Sequence, residues 1–270
     1  MDPTATLAPG PITEYEVLGL LGEGPHARCY LARPPGHHGE GVVVKVFTER
    51  VGEPAFDRAV RLLRAAEAVG SRYVVRVFDA VLGENFAYAM EFHPLGSLAA
   101  PAGALAREVA LVALEHAARG AHELHDAGIV HGAIHPGNVL LVEEDDGAVG
   151  GRLAEPGLSG VLTPGVVVPG AGRGGVLEFR DPDLLDGAPP SRRTEVWALG
   201  ATIHRVLSGA GLYGELPGHA LGAIRELQSG PQLHPALDPD EASLVRDCTA
   251  DGPDRLRTAA EVADRLAALR

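Results

Sequence analysis

The stretch His131-Gly-Ala-Ile-His-Pro-Gly-Asn138-Val-Leu-Leu141 decides how this chain folds. It follows Gly128-Ile129-Val130 and places two histidines, a Pro-Gly pair and an asparagine ahead of an apolar run. That is the composition of a tight loop feeding a short strand, with Asn138 suited to capping its own turn. Upstream, residues 104–126 are rich in Ala, Leu and Glu with apolar residues three and four apart, which predicts a long helix. Downstream, EEDDGAVGG (143–151) reads as a charged turn between two short strands. Residues 159–175 hold six glycines and two prolines with little periodicity and read as a flexible loop. Helical spacing returns at 194–207, 241–248 and 259–269.

The first third of the chain has a different texture. Residues 15–21, 29–32 and 41–47 read as three strands, with RPPGHHGEG (33–41) as the turn before the third. Residues 54–69 carry Phe56, Val60, Leu63 and Ala66 or Glu67 on one helical face. Two further strands are expected at 73–82 and 86–92, and Pro94-Leu95-Gly96 breaks the pattern. Residues 1–11 read as a mobile arm, and no internal repeat is visible.

Composition narrows the class. With 46% hydrophobic residues, 22% charged residues and a mean hydropathy of +0.06, the chain reads as soluble and globular. No apolar run approaches a bilayer span, and MDPTATLAPGPI has neither a basic leader nor an apolar core, so a cytoplasmic protein without membrane contact is expected. A net charge of -13 disfavours nucleic acid as a partner. Cys29 and Cys248 define no disulfide framework and read as reduced side chains. The 12 histidines are scattered, and neither His37-His38 nor His131 with His135 has a carboxylate or Cys at zinc-ligand spacing.

Lys45 is the only lysine among 23 Lys and Arg residues, and it closes the run Val42-Val43-Val44. Arginine and lysine are not interchangeable where a point charge must fit a tight site. Upstream lies Gly22-Glu23-Gly24, between two apolar runs. Together with residues 131–141 these features resemble the bacterial serine/threonine protein kinases of the eukaryotic-like type, from about residue 12 to the C-terminus. The resemblance implies an α+β fold of two lobes. A small antiparallel sheet with one helix would occupy 12–90, a hinge 91–96, and a larger, mainly helical lobe 97–270.

It also implies a set of nucleotide-binding positions. Gly22, Gly24, Ala27 and Cys29 stand in the places of the glycine-rich loop, where Pro25 removes one backbone donor. Met90-Glu91-Phe92-His93 resembles the hinge, with the Glu91 carbonyl and His93 amide facing adenine. Cys29, Val43, Met90 and Leu140 would contact the nucleotide, and Val43 narrows the slot because the family usually has Ala there. Asn138 and Glu155 fall where the family holds magnesium. For Asn138 the ligand and loop-capping readings stand side by side.

The departures concern chemistry. In the loop HRDxKPxN, Asp accepts the substrate hydroxyl proton and Lys steadies the phosphoryl group; here they are Ala133 and His135. Gly132 replaces an Arg that binds an activation-loop phosphate in many kinases, and Val176 replaces a Thr that meets the catalytic pair. Control through Ser159 or Thr163 is therefore not expected. The metal-binding Asp of DFG is Glu155, followed by Pro156-Gly157, so magnesium binding is expected to be poor. The glutamate that should pair with Lys45 falls on Ala59 or Leu62, leaving Glu155 as its nearest alternative partner. Scaffold positions are kept: Glu195-Val-Trp-Ala-Leu-Gly200 resembles DVWSLG, and Pro182-Asp183 with Arg255 resembles the ion pair of the APE motif.

The expectation is a pseudokinase that works by binding a protein partner, with weak ATP affinity and doubtful magnesium. The alternative is an active, non-canonical serine/threonine kinase in which His135 serves as base or phosphate contact and Glu155 as metal ligand. HGxxHPGN also resembles the loop of small-molecule phosphotransferases such as aminoglycoside kinases. Those too need Asp at position 133, and the Trp197 and 181–183 segments favour the protein-kinase branch.

Overall fold

The computed structural model describes residues 14–24, 27–36, 39, 41–156, 158, 177–217, 220–227 and 229–270. The expected arm at 1–11, Pro25, His37-His38, Ser159, Thr163, the loop at 159–175 and Val176 lie outside the described residues.

Five strands, β1 (Glu16–Glu23), β2 (Ala27–Arg33), β3 (Val42–Phe47), β4 (Val77–Leu82) and β5 (Phe86–Glu91), form an antiparallel sheet in the order β1-β2-β3-β5-β4. Their β-branched and aromatic residues suit a pleated surface. β5, an inner strand between β3 and β4, is buried except at its end, whereas the edge strand β1 leaves Val17, Leu18, Leu20 and Leu21 exposed. Between β3 and β4 runs α1 (Glu53–Val69), which begins at Pro54 and ends where Gly70 turns left-handed at φ 65°. It buries Ala59, Leu63 and Ala66. Ala59 packs with Val43, Phe86, Tyr88 and Met90 in the small-lobe core.

The larger lobe is built on α2 (Arg107–Asp126), whose alanine-rich face is almost wholly buried. Small side chains let a second sheet approach closely: β6 (Gly96–Ser97), β7 (Ala100–Pro101), β8 (Val139–Glu143) and β9 (Val149–Leu153), in the order β7-β6-β8-β9. A Cβ on Gly151 of β9 would lie 2.6 Å from the Ala113 carbonyl of α2. Five more α-helices follow among the described residues, the first four being α3 (Pro182–Leu185), α4 (Arg192–Ser208), α5 (Ala220–Leu227) and α6 (Pro239–Thr249). The last is α7 (Ala259–Ala268). Capping boxes start α4 (Ser191 with Thr194), α6 (Asp238 with Glu241) and α7 (Thr258 with Glu261), each satisfying orphan N–H groups. Trp197 of α4 stacks on Tyr213 at 6.2 Å within the large-lobe core. No described helix is long and apolar enough to cross a membrane.

Several expectations are corrected. The strand expected at 73–82 begins at Val77, because residues 73–75 pair with β9 instead: Val75 N donates to Leu153 O at 2.8 Å and Leu153 N to Tyr73 O at 2.8 Å. That exchange ties the small lobe to the large one. The helix expected from 104 starts at Arg107, because Gly103 sits in the bend that leads into it and Ala106 is extended. β6, β7, α3 and α5 were not anticipated.

The ion pair expected at Asp183 is made by Asp181. Asp183 is exposed, while Asp181 and Arg255 are buried and joined through Oδ2 and Nη1. Asp181 Oδ1 also accepts from Asp183 N at 3.1 Å, capping α3, so the acid that caps the turn is the one held inward. Arg255 further donates to the carbonyls of Ala250 (2.9 Å) and Arg193 (3.3 Å). Removing one partner of such a pair leaves an uncompensated buried charge. Arg255→Met should lower urea-unfolding stability by about 3–5 kcal/mol, and adding Asp181→Asn, which keeps a cap without the charge, should restore part of the loss.

Candidate functional site

Where the two lobes meet, the 131–138 loop is held from below by one buried carboxylate. Glu195, in the first turn of α4, accepts from Gly132 N with Oε1 and meets His125 Nε2 with Oε2 at 2.5 Å. Gly132 sits at φ 73°, a left-handed conformation that suits glycine. Its neighbour His131 is fully buried and bonded through Nε2 to Ala154 O at 2.9 Å, which joins the loop to the residue before Glu155. Burial lowers the affinity of His131 for a proton.

Within the loop, His135 Nδ1 accepts from Gly137 N at 3.1 Å and starts a 3₁₀ turn at Pro136–Asn138. The backbone N–H can only donate, so the neutral ring carries its proton on Nε2. Burial brings the pKa of His135 down to about 4, and the nearby Lys45 and Arg180 charges act in the same direction. Asn138 is buried, and its Nδ2 donates to Ala133 O at 2.9 Å. The loop-capping reading of Asn138 thus describes a bond that exists. Ala133 presents a methyl where a carboxylate would stand.

Across the cleft, Cys29 pairs with Lys45 between β2 and β3, and Val43 pairs with Met90 between β3 and β5. Val43 and Met90 belong to the small-lobe core, and Cys29 and Leu140 pack against it, so these four lie in one apolar cluster. Cys29 is a free thiol whose pKa is raised by burial. Gly22 lies in β1 opposite Cys29, and Gly24 N donates to Ala27 O at 2.8 Å, closing the described part of the glycine loop. At the expected hinge, the Glu91 carboxylate accepts from Arg152 at 2.8 Å and from Arg76 N at 3.3 Å, and His93 Nε2 lies 3.5 Å from it.

Lys45 Nζ is bonded to Glu155 Oε1, and both side chains are largely buried. Ala59 and Leu62 pack into apolar clusters and offer it nothing. Glu155 has φ 68°, the only described non-glycine residue in the left-handed region. Such strain persists where surroundings over-determine it, and it gathers at functional positions. Of the two positions expected to hold magnesium, Asn138 donates its Nδ2–H to the loop, a bond that does not use its Oδ1, and Glu155 shares its charge with Lys45. Among the described residues no cluster of three or more His, Cys, Asp or Glu is placed to hold a metal ion.

Sequence reasoning missed several residues that shape this region. His125, at the end of α2, and Glu178, which accepts from Arg205 at 2.6 and 2.9 Å, give no local periodic signal because their partners lie 70 and 27 residues away. Arg180 was not singled out either. Its half-buried guanidinium lines a small pocket beneath the loop with Ala133, His135 and Phe179.

Comparison with known proteins accords with this geometry. Residues 15–263 match the family described as Protein kinase domain. The chain is 33% identical over 224 residues to the DNA damage-responsive serine/threonine-protein kinase RqkA of Deinococcus radiodurans, covering 76% of this chain and 31% of that protein. It is 28% identical over 266 residues to the probable serine/threonine-protein kinase PkwA of Thermomonospora curvata, covering 96% and 34%. With the serine/threonine-protein kinase PknB of Mycobacterium tuberculosis it shares 25% identity over 266 residues, covering 92% and 41%. The chain therefore spans between about a third and two fifths of the length of these curated relatives. A β-sheet lobe over a helical lobe, joined at a loop built on His131 and Glu195, with a family match over nearly the whole chain, makes this chain a member of the protein kinase domain family.

Proposed function

We propose that this kinase-family signalling domain acts by binding a protein partner and does not usefully transfer phosphate, holding ATP weakly and with little contribution from magnesium. The observation that carries the proposal is the absence of a free proton acceptor on the loop side chains at 133 and 135. Ala133 is a methyl, and the one lone pair of the neutral His135 ring is taken by Gly137 N–H. Loss of a general base costs about 100-fold to 10,000-fold in rate. The Lys45–Glu155 bond adds to this, because it engages the carboxylate that stands where the family's metal-binding Asp would be. A glutamate shared with Lys45 does not by itself supply the near-ideal octahedral set that magnesium demands.

A second reading, an active serine/threonine kinase, draws on the relatives, which are named as such kinases, and on the ordered scaffold around His131 and Glu195. Phosphoryl transfer depends mainly on positioning, so it is open to rearranged sites. In this reading Glu155 leaves Lys45 to bind metal when nucleotide arrives.

Transfer from radiolabelled ATP, to the chain itself and to generic substrates, separates the two. The binding reading expects the chain to equal its Lys45→Ala variant; lysine-dependent turnover establishes the other reading. Melting supplies a second measure. At 1 mM ATP a dissociation constant near 0.1 mM gives about 1.4 kcal/mol and roughly 3 °C. The expected shift is that or less and the same with or without magnesium, whereas a larger, magnesium-dependent shift favours the kinase.

The neutral state of His135 has a pH consequence. Its folded pKa of about 4 lies below the ordinary 6.5. The fold therefore gains stability from the neutral ring above pH 6.5 and loses it as pH falls toward 4. Between pH 7 and 4.5, His135→Asn should reduce the stability loss of the chain by about 2–3 kcal/mol in denaturant titrations.

A further inference from the structure

The pocket beneath the loop has a chemical character that the nucleotide cleft does not explain. Its wall joins Ala133 and His135 of the loop to Phe179 and Arg180, with Leu184 and Pro190 beyond. Each side-chain acceptor there already holds a hydrogen bond. Glu195 uses both oxygens on Gly132 N and His125, Thr194 Oγ1 accepts from Ser191 N at 2.9 Å within its capping box, and His135 Nδ1 holds Gly137 N–H. What remains is the Nε2–H of His135 and the guanidinium of Arg180, both donors. No described carboxylate pairs with Arg180, and its affinity for a proton is lowered by desolvation alone. Nearby acids are committed elsewhere: Asp181 to Arg255, and Glu155 to Lys45.

A half-buried guanidinium without a described partner is costly, and its planar fork fits an anion with two oxygens on one face. We propose that this pocket is an anion-binding site that takes one acidic side chain of a protein segment, a carboxylate or a phosphate monoester. The apolar walls at Phe179, Leu184 and Pro190 suit the methylenes that carry such a group. A single cation set in a chain of net charge -13 does not suit a polyanion such as nucleic acid, which needs a row of positive groups. The proposal deepens the binding reading above and rests on it, giving the partner a required feature at the place where the family carries its base.

The test needs no nucleotide, so its failure is distinct from the outcome of the phosphotransfer assay. Immobilised twelve-residue peptides of Ala, Gly and Ser, each carrying one Glu, one phosphoserine or one Gln at a scanned position, are probed with the purified chain. One of the acidic sets should be retained about tenfold better than the Gln set, and whichever set is stronger identifies the anion. Arg180→Met should abolish the preference. Ala133→Asp, which supplies an internal carboxylate at the pocket wall, should abolish it too and should raise the melting temperature by pairing Arg180. The exposed Arg61→Met control should leave it intact. Equal retention of the Gln set, or a preference that survives Ala133→Asp, overturns the proposal; if Arg180→Met does not fold, Ala133→Asp decides alone.

Discussion

One buried carboxylate holds the working face of this molecule in place. Glu195 sits inside the large lobe, and its two oxygens bind a backbone N–H of the 131–138 loop and the imidazole at the end of α2. Hydrogen bonds to a charged group in a dry setting are among the stronger ones available to a protein. From that anchor the rest follows in order. Gly132 takes its left-handed turn, His131 reaches Ala154, and Ala154 sets the backbone from which Glu155 meets Lys45. The Lys45–Glu155 pair thus stands at the end of a chain of contacts that starts at Glu195.

That chain separates scaffold from chemistry. The scaffold contacts are made: Glu195 with His125 and Gly132, which position the loop, and, in the large lobe around it, Glu178 with Arg205 and Asp181 with Arg255. The groups that would move a proton or clamp a phosphate are replaced or engaged. A methyl stands at 133, an imidazole with its lone pair occupied at 135, and an ammonium bonded to a carboxylate at 45. In the binding reading proposed above, such a buried polar framework serves recognition by keeping the loop's shape without its acid.

Much of this was readable before any coordinates. Alternation, apolar runs and helical spacing mark the five strands of the small sheet and α1, α2, α4, α6 and α7. The lone lysine, the loop at 131–138 and the Glu at 155 mark the cleft by residue type. What escaped reading shares a physical cause. β6, β7 and α3 are too short to show a period. The pairing of residues 73–75 with β9 and the bond from His125 to Glu195 join segments distant in sequence. Asp181 and Asp183 look equivalent on paper, and only the capping geometry of α3 decides which one faces Arg255.

The central claim is that the 131–138 loop offers no side chain able to take a proton at neutral pH. Long-range ¹H–¹⁵N correlation on the histidine rings tests it most directly, by reading which nitrogen of His135 bears hydrogen. The account predicts a neutral ring protonated on Nε2, unchanged between pH 7 and 5.5. A ring protonated on Nδ1 instead, or one that titrates near pH 7, would leave a nitrogen free to act as base and would contradict it.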